Sequence, residues 1–115
     1  TDLVAEAIKP TARQDGWIHL FLLHTTAGLT IADLDPGTDQ DLLDALRGMI
    51  PKLHYRHPHD PEHVPDHILS SLMGTSLTVP MASGKPLLGT WQRIVLVELD
   101  GPRQRQLIVS IVSED

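Results

Sequence analysis

Three prolines, Pro58, Pro61 and Pro65, fall within the fourteen residues His54-Tyr-Arg-His-Pro-His-Asp-Pro-Glu-His-Val-Pro-Asp-His67. Each removes a backbone donor and fixes φ, so the segment from about 57 to 64 is neither one continuous helix nor a central strand. The middle of the chain is therefore an irregular loop, and regular structure has to be built on either side of it. The same stretch holds five of the seven histidines: 54, 57, 59, 63 and 67. Imidazoles on a fixed loop suit a borderline-soft cation such as zinc and titrate near neutrality, which also suits acid or base work. A solvated His/Pro-rich surface loop has the same composition.

With 115 residues and 41% hydrophobic content, the chain suits one domain with one core, residues 1–115. It has no cysteine, so a transition-metal site has to use His, Asp or Glu, and thiol nucleophiles are excluded. A net charge of −6 argues against an extended nucleic-acid surface while leaving local arginines for a small anionic metabolite. No apolar run reaches a membrane span and no basic segment precedes an apolar one, so a soluble, cytoplasmic protein is expected. The chain opens on Thr1 directly in a helical pattern, and an N-terminal segment is expected to be missing.

Leu3, Val4, Ala7 and Ile8 share one side of a short helix ended by Lys9-Pro10, and Gln14-Asp15-Gly16 reads as a turn. Trp17 to His24 is apolar on both alternating faces, which predicts a central strand covered on both sides. Period-two alternation puts His24 on the face of Ile18, Leu20 and Leu22, at the rim of the core. Leu29 to Ile31 suits a second strand. The acidic run from Asp33 to Asp41 lacks the glycine position of an EF-hand and carries Pro36, so it reads as a helix start with Asp35 at the N-cap. Leu42, Leu43, Leu46, Met49 and Ile50 then form a core-facing stripe that Pro51 stops.

After the histidine loop a helix is expected from Pro65 or Asp66 to Gly74, with Ile68, Leu69 and Leu72 inward. His67 lies in its first turn and Ser70 and Ser71 flank the same face, near free N–H groups that attract anions. The alternative is an ordinary helix start with two solvated serines. Ser76 to Pro80, Pro86 to Asp100 and Gln106 to Val112 read as strands of an antiparallel meander. Glu98 shares a face with Gln92, Ile94 and Leu96, where it either meets a cation or donor or lies on a solvated edge.

His24-Thr-Thr-Ala-Gly-Leu-Thr30, Tyr55-Arg-His57, Pro65-Asp-His-Ile68, Gly74-Thr-Ser-Leu-Thr-Val-Pro80, Leu88-Gly-Thr-Trp-Gln92 and Glu98-Leu-Asp-Gly-Pro-Arg103 follow one another in this order. Together they resemble the secondary thiamine-phosphate synthase enzymes, the YjbQ-type proteins, along nearly the whole chain. The resemblance implies an α+β fold: a single domain with a mostly antiparallel β-sheet, two or three short helices and assembly as a homotrimer. It implies His24, His57 and His67 as ligands of a divalent metal, zinc above all, with magnesium possible for a pyrophosphate substrate, and leaves His54, His59 and His63 peripheral. Glu98, Ser71 and Gln92 become catalytic or orienting residues, and Thr25, Arg56, Ser70 and Arg103 substrate- or anion-binding ones, with Lys85 and Arg93 as further phosphate partners. The implied activity joins a pyrimidine pyrophosphate to a thiazole phosphate. Zinc-dependent hydrolysis of a small phosphorylated or carboxylic substrate, and a trimeric metal- or metabolite-binding module without turnover, are the alternatives. Two departures bear on the substrate: Ala32-Asp33 where many members have Asn-Glu, and Arg93 where glycine is usual. The family's opening strand is also expected to be missing here.

Overall fold

The computed structural model describes residues 15–57 and 61–114. The helix expected at Leu3 to Ile8 and the residue His59 lie outside the described residues. Strand β1, Gly16–Leu22, is the centre of a four-stranded antiparallel sheet. It pairs on one side with β3, Ser76–Ala82, and on the other with β6, Leu107–Ser113, while the short β4, Lys85–Pro86, extends the β3 edge. Strands β2, Ala27–Ala32, and β5, Arg93–Glu98, form a separate antiparallel pair.

The expected meander is therefore corrected: among the described strands only β3 and β4 are both consecutive and adjacent, and the strands divide between two sheets. The segment from Pro86 to Asp100 is not one long strand. Gly89 N–H is held by the Gln92 side-chain oxygen at 2.8 Å and Gln92 N–H by the Gly89 carbonyl at 3.1 Å, a turn that carries the chain from one sheet to the other.

Ile18, Leu20 and Leu22 point into the core with Ala27, Leu29, Val79, Met81 and Ile94. On the opposite face of β1, Trp17 is 44% and Phe21 40% exposed, so among the described residues a strand expected to be covered twice is covered once. Alternation holds for the inward residues alone; apolar residues on the other face did not imply a second cover, because both described helices pack beside the β2–β5 pair.

Helix α1, Thr38–Met49, starts behind Gly37 at φ 90°, with no side-chain cap. Asp35 is not the N-cap; its carbonyl accepts Thr38 N–H at 2.9 Å, closing a turn that needs the left-handed glycine. No residue of α1 is buried, and Met49 is 70% exposed; Leu43, Leu46 and Ile50 pack against a small cluster of Leu69, Val97 and Leu99. A 3₁₀ turn, Pro61–His63, leads into α2, Val64–Met73, which ends at Gly74 with φ 93°. On α2 the buried positions are Asp66, Leu69 and Ser70, and Leu72, expected inward, is 71% exposed. Close approach of α2 to β2 fixes this rotation: Gly28 faces Met73, and the Ser70 hydroxyl donates to the Ala27 carbonyl at 2.6 Å. No described helix is long and apolar enough to cross a membrane.

Candidate functional site

Chain segments from four parts of the sequence meet where β1 ends. Beyond Leu22 the backbone leaves the sheet but stays tethered: Leu22 N–H donates to Thr75 O at 2.8 Å and Leu23 N–H to Gln106 O at 3.1 Å. His24 thus sits at the core rim, half-buried, as expected. The loop from Asp100 to Gln106 comes alongside, and α2 brings in its first turn. Between them opens a cavity of about 830 Å³ lined by Leu23, His24, Thr25, Thr26, His57, His63, His67, Asp100, Arg103, Gln104 and Arg105.

His24 accepts the Gln106 backbone N–H on Nε2 at 2.7 Å. A neutral imidazole has one lone pair on its ring nitrogens, so this bond makes Nδ1 the protonated nitrogen. His57 and His67 stack, ring centroids 5.1 Å apart and planes 18° from parallel. The segment that carries His57 is tied by the Tyr55 hydroxyl, which donates to the Pro51 carbonyl, while His67 is carried by α2.

Arg105 is the residue that sequence reading passed over. Its guanidinium gives two hydrogen bonds to Glu98, at 2.6 and 2.7 Å, and reaches Thr26 O at 3.2 Å and Oγ1 at 3.1 Å. Its side chain is only 9% exposed, and the hydrogen-bonded Glu98 carboxylate holds it protonated, above the ordinary arginine value, against the opposing effect of burial. The available signal was an Arg-x-Arg pair just before β6, at a point where the loop must pass the rim of the sheet.

The expected site residues divide on this geometry. His24, Thr25, His57, His67 and Arg103 line the cavity together. His63, expected to be peripheral, lines it too, because the 3₁₀ turn swings it onto the α2 side of the opening. Ser70 is buried with its hydroxyl on the Ala27 carbonyl and is not a solvated flank; together with exposed Ser71 it lines an adjoining hollow of about 440 Å³ that shares His24 and Thr25. Glu98 has both oxygens on Arg105 and lines a third hollow with Arg47, His63 and Asp66. Gln92 closes its own turn, Arg93 donates to the Thr90 and Gln92 carbonyls, and Lys85 lies on β4; none of these lines the histidine cavity, nor does exposed Arg56.

Among the described residues, the close grouping of metal-type donors is His63, Asp66 and Asp100, whose ligand atoms lie within 4.8 Å of one another. His24, His57 and His67 share the cavity without forming such a group, and His24 already uses its Nε2 lone pair. The donor set therefore fits a three-histidine metal only in part: His57 and His67 are stacked together, whereas the Nε2 of His24 is taken by the Gln106 N–H.

The family described as UPF0047 protein YjbQ-like matches residues 1–114. A UPF0047 protein of Mycobacterium tuberculosis is 46% identical over 98 residues, covering 82% of this chain and 74% of that protein. A UPF0047 protein of Methanocaldococcus jannaschii is 40% identical over 115 residues, 99% of this chain and 83% of its own length. Among solved structures, an uncharacterized YjbQ/UPF0047 family protein of Clostridium acetobutylicum superimposes with a TM-score of 0.84 at 40% identity, covering 97% of this chain and 87% of that one. A YbjQ-like protein of unknown function from Sulfolobus solfataricus reaches a TM-score of 0.87 at 30% identity, covering 99% and 84%.

Proposed function

This chain belongs to the YjbQ-like UPF0047 family, and from that premise we propose that it is an enzyme acting on a small phosphorylated metabolite in the cavity at the end of β1. The observation that carries this reading is the gathering of His24, His57, His63, His67, Arg103 and Arg105 around one open cavity. Imidazole and guanidinium donors are the groups that bind phosphate oxygens, and Arg adds a fixed fork of N–H groups. Exposed Arg103, although paired with Asp100, offers further N–H groups to the anion, Thr25 adds a hydroxyl, and the imidazoles add ring N–H donors, while Arg105 keeps Glu98 as its counter-ion. Glu98 acts through Arg105, holding its guanidinium at the rim.

The finer reading is transfer of the thiamine-phosphate synthase type, joining a pyrimidine pyrophosphate to a thiazole phosphate as pyrophosphate departs. Charge on the departing pyrophosphate is what the arginines would stabilise. A divalent ion, zinc on His57 and His67 with His24, or magnesium on pyrophosphate oxygens, would add Lewis-acid stabilisation of that charge when bound. Metal-assisted hydrolysis of a phosphate ester is the second reading, favoured by the stacked His57–His67 pair. A homotrimer in the cytoplasm is the assembly and setting proposed with it.

Elemental analysis of tag-free protein purified without added metal, followed by a pyrophosphate-release assay, tests these readings. About one zinc per chain is expected, lost in His57→Ala and His67→Ala, weakened in His24→Ala and kept in His59→Ala. Release of pyrophosphate only when both precursors are present supports transfer. Phosphate release from simple esters supports hydrolysis. Bound metal with neither activity leaves a binding module.

A further inference from the structure

His63 stands between two carboxylates. Its Nδ1 lies 3.3 Å from Asp66 Oδ2 and 3.4 Å from Asp100 Oδ1. Each carboxylate gives its other oxygen to an arginine: Asp66 Oδ1 is 3.7 Å from Arg47 Nη1, and Asp100 Oδ2 is 2.9 Å from Arg103 Nη2. Arg47, Asp66, His63, Asp100 and Arg103 thus form one line of alternating charge, drawn from α1, α2, the 3₁₀ turn and the loop after β5. Only its central member ordinarily changes charge near neutral pH.

We propose that His63 is a proton donor built into the cavity, with Asp66 and Asp100 holding Nδ1 protonated so that Nε2 exchanges a proton with an anionic phosphate oxygen bound there. The substrate class rests on the phosphate reading given above. Asp66 is 7% exposed, so little water is available to satisfy its oxygens, and a donor at Nδ1 is the partner the geometry provides. An imidazole whose Nδ1–H is fixed by carboxylate has a defined tautomer and a basic Nε2. The proton balance is simple. The Nε2–H bond of the imidazolium breaks, an O–H bond forms on the phosphate dianion, and the ring is left neutral with Nδ1–H in place; release reverses this.

The neighbouring charges act in both directions. Asp66 and Asp100 meet the ring directly and favour the imidazolium. Arg47 and Arg103 sit on the far carboxylate oxygens, one atom group further away, and oppose it less because Coulomb energy falls with distance. Arg105 shares the cavity but carries Glu98 as its own counter-ion, Glu62 lies one residue before His63, and His24, His57 and His67 line the same space. A divalent ion among His63, Asp66 and Asp100 would have to compete with two arginines already bound to those carboxylates, which is why the site is assigned to a proton.

Two-bond ¹H–¹⁵N spectra of the full chain, labelled at histidine and assigned with His63→Gln, test this across a pH series. The expected result is a neutral His63 in the Nδ1–H form and a titration midpoint that falls by roughly one unit in Asp66→Asn and in Asp100→Asn. Asp100 is half-buried, so its variant serves if Asp66→Asn fails to fold. The Nε2–H tautomer, or the same midpoint in parent and variants, overturns the assignment. Inorganic phosphate is then added. A response of the His63 resonances supports the donor role. Phosphate binding that leaves them unmoved overturns the donor role alone, and no phosphate binding overturns both it and the phosphate reading. Zinc binding that is lost in Asp100→Asn would make the cluster a metal site and also overturn it.

Discussion

Arg105 shows how one side chain organises the site. It joins the start of β2 through Thr26 to the end of β5 through Glu98, while the next residue, Gln106, fixes His24 through its backbone N–H. Arg105→Gln keeps some hydrogen-bonding capacity but removes the charge, leaving a partly buried Glu98 without its counter-ion. The expected cost is about 2 kcal/mol in urea unfolding, discounted from a fully buried pair because Glu98 is partly solvated. Because the Arg105 pKa is raised on folding, its contribution is fully present below the unfolded-state value and lost only as pH rises through the still higher folded value. The difference between parent and variant should therefore show no arginine-linked change between pH 6 and 9. A cost that disappears within that window would assign the stabilisation to another group.

At the scale of elements, the seat of α2 on β2 sets the position of His67. Gly28 is the point of closest approach: a Cβ there would come within 2.6 Å of Met73 Sδ. Gly28→Ala should cost about 1–3 kcal/mol, the range for overpacking a filled contact. Met73→Ala removes the obstructing side chain, so in the double variant the added methyl should cost much less than it does alone. A double-mutant cycle on thermal or urea unfolding measures this coupling. Additive costs would mean that α2 is not held by this contact and that the histidine positions depend on the loop instead.

At the scale of the molecule, the outer face of the β1 sheet carries Trp17, Phe21, Ile108 and Val112, all substantially exposed. Cross-strand register puts Trp17 beside Val112 and Phe21 beside Ile108, so these are neighbours on one surface and not scattered residues. The polar pair His19 and Ser110 lies between the two apolar pairs, and large exposed apolar side chains grouped on one face in this way mark a surface for association. The homotrimer proposed above predicts a sedimentation-equilibrium mass three times that of the chain at micromolar concentration. Trp17→Glu together with Phe21→Glu should reduce the mass if this face is used, and a monomer in the parent protein would remove the trimer.

Local rules of the sequence determined much of this protein. Periodicity located β1 and its inward residues, Gly74 ended α2 where glycine permits a positive φ, and Pro61 and Pro65 mark the 3₁₀ turn and the start of α2. The ordered motifs carried the family and placed His24, His57, His67, Thr25 and Arg103 around what proved to be one cavity. Tertiary structure decided the rest, because partners distant in sequence leave no periodic signal. Burial of Ser70 depends on the Ala27 carbonyl 43 residues away, and the fate of Glu98 depends on which arginine the 100–106 loop delivers. His63 looked peripheral among its neighbours in the chain, and only the folding of Asp100 against α2 gives its ring two carboxylates and a place in the cavity.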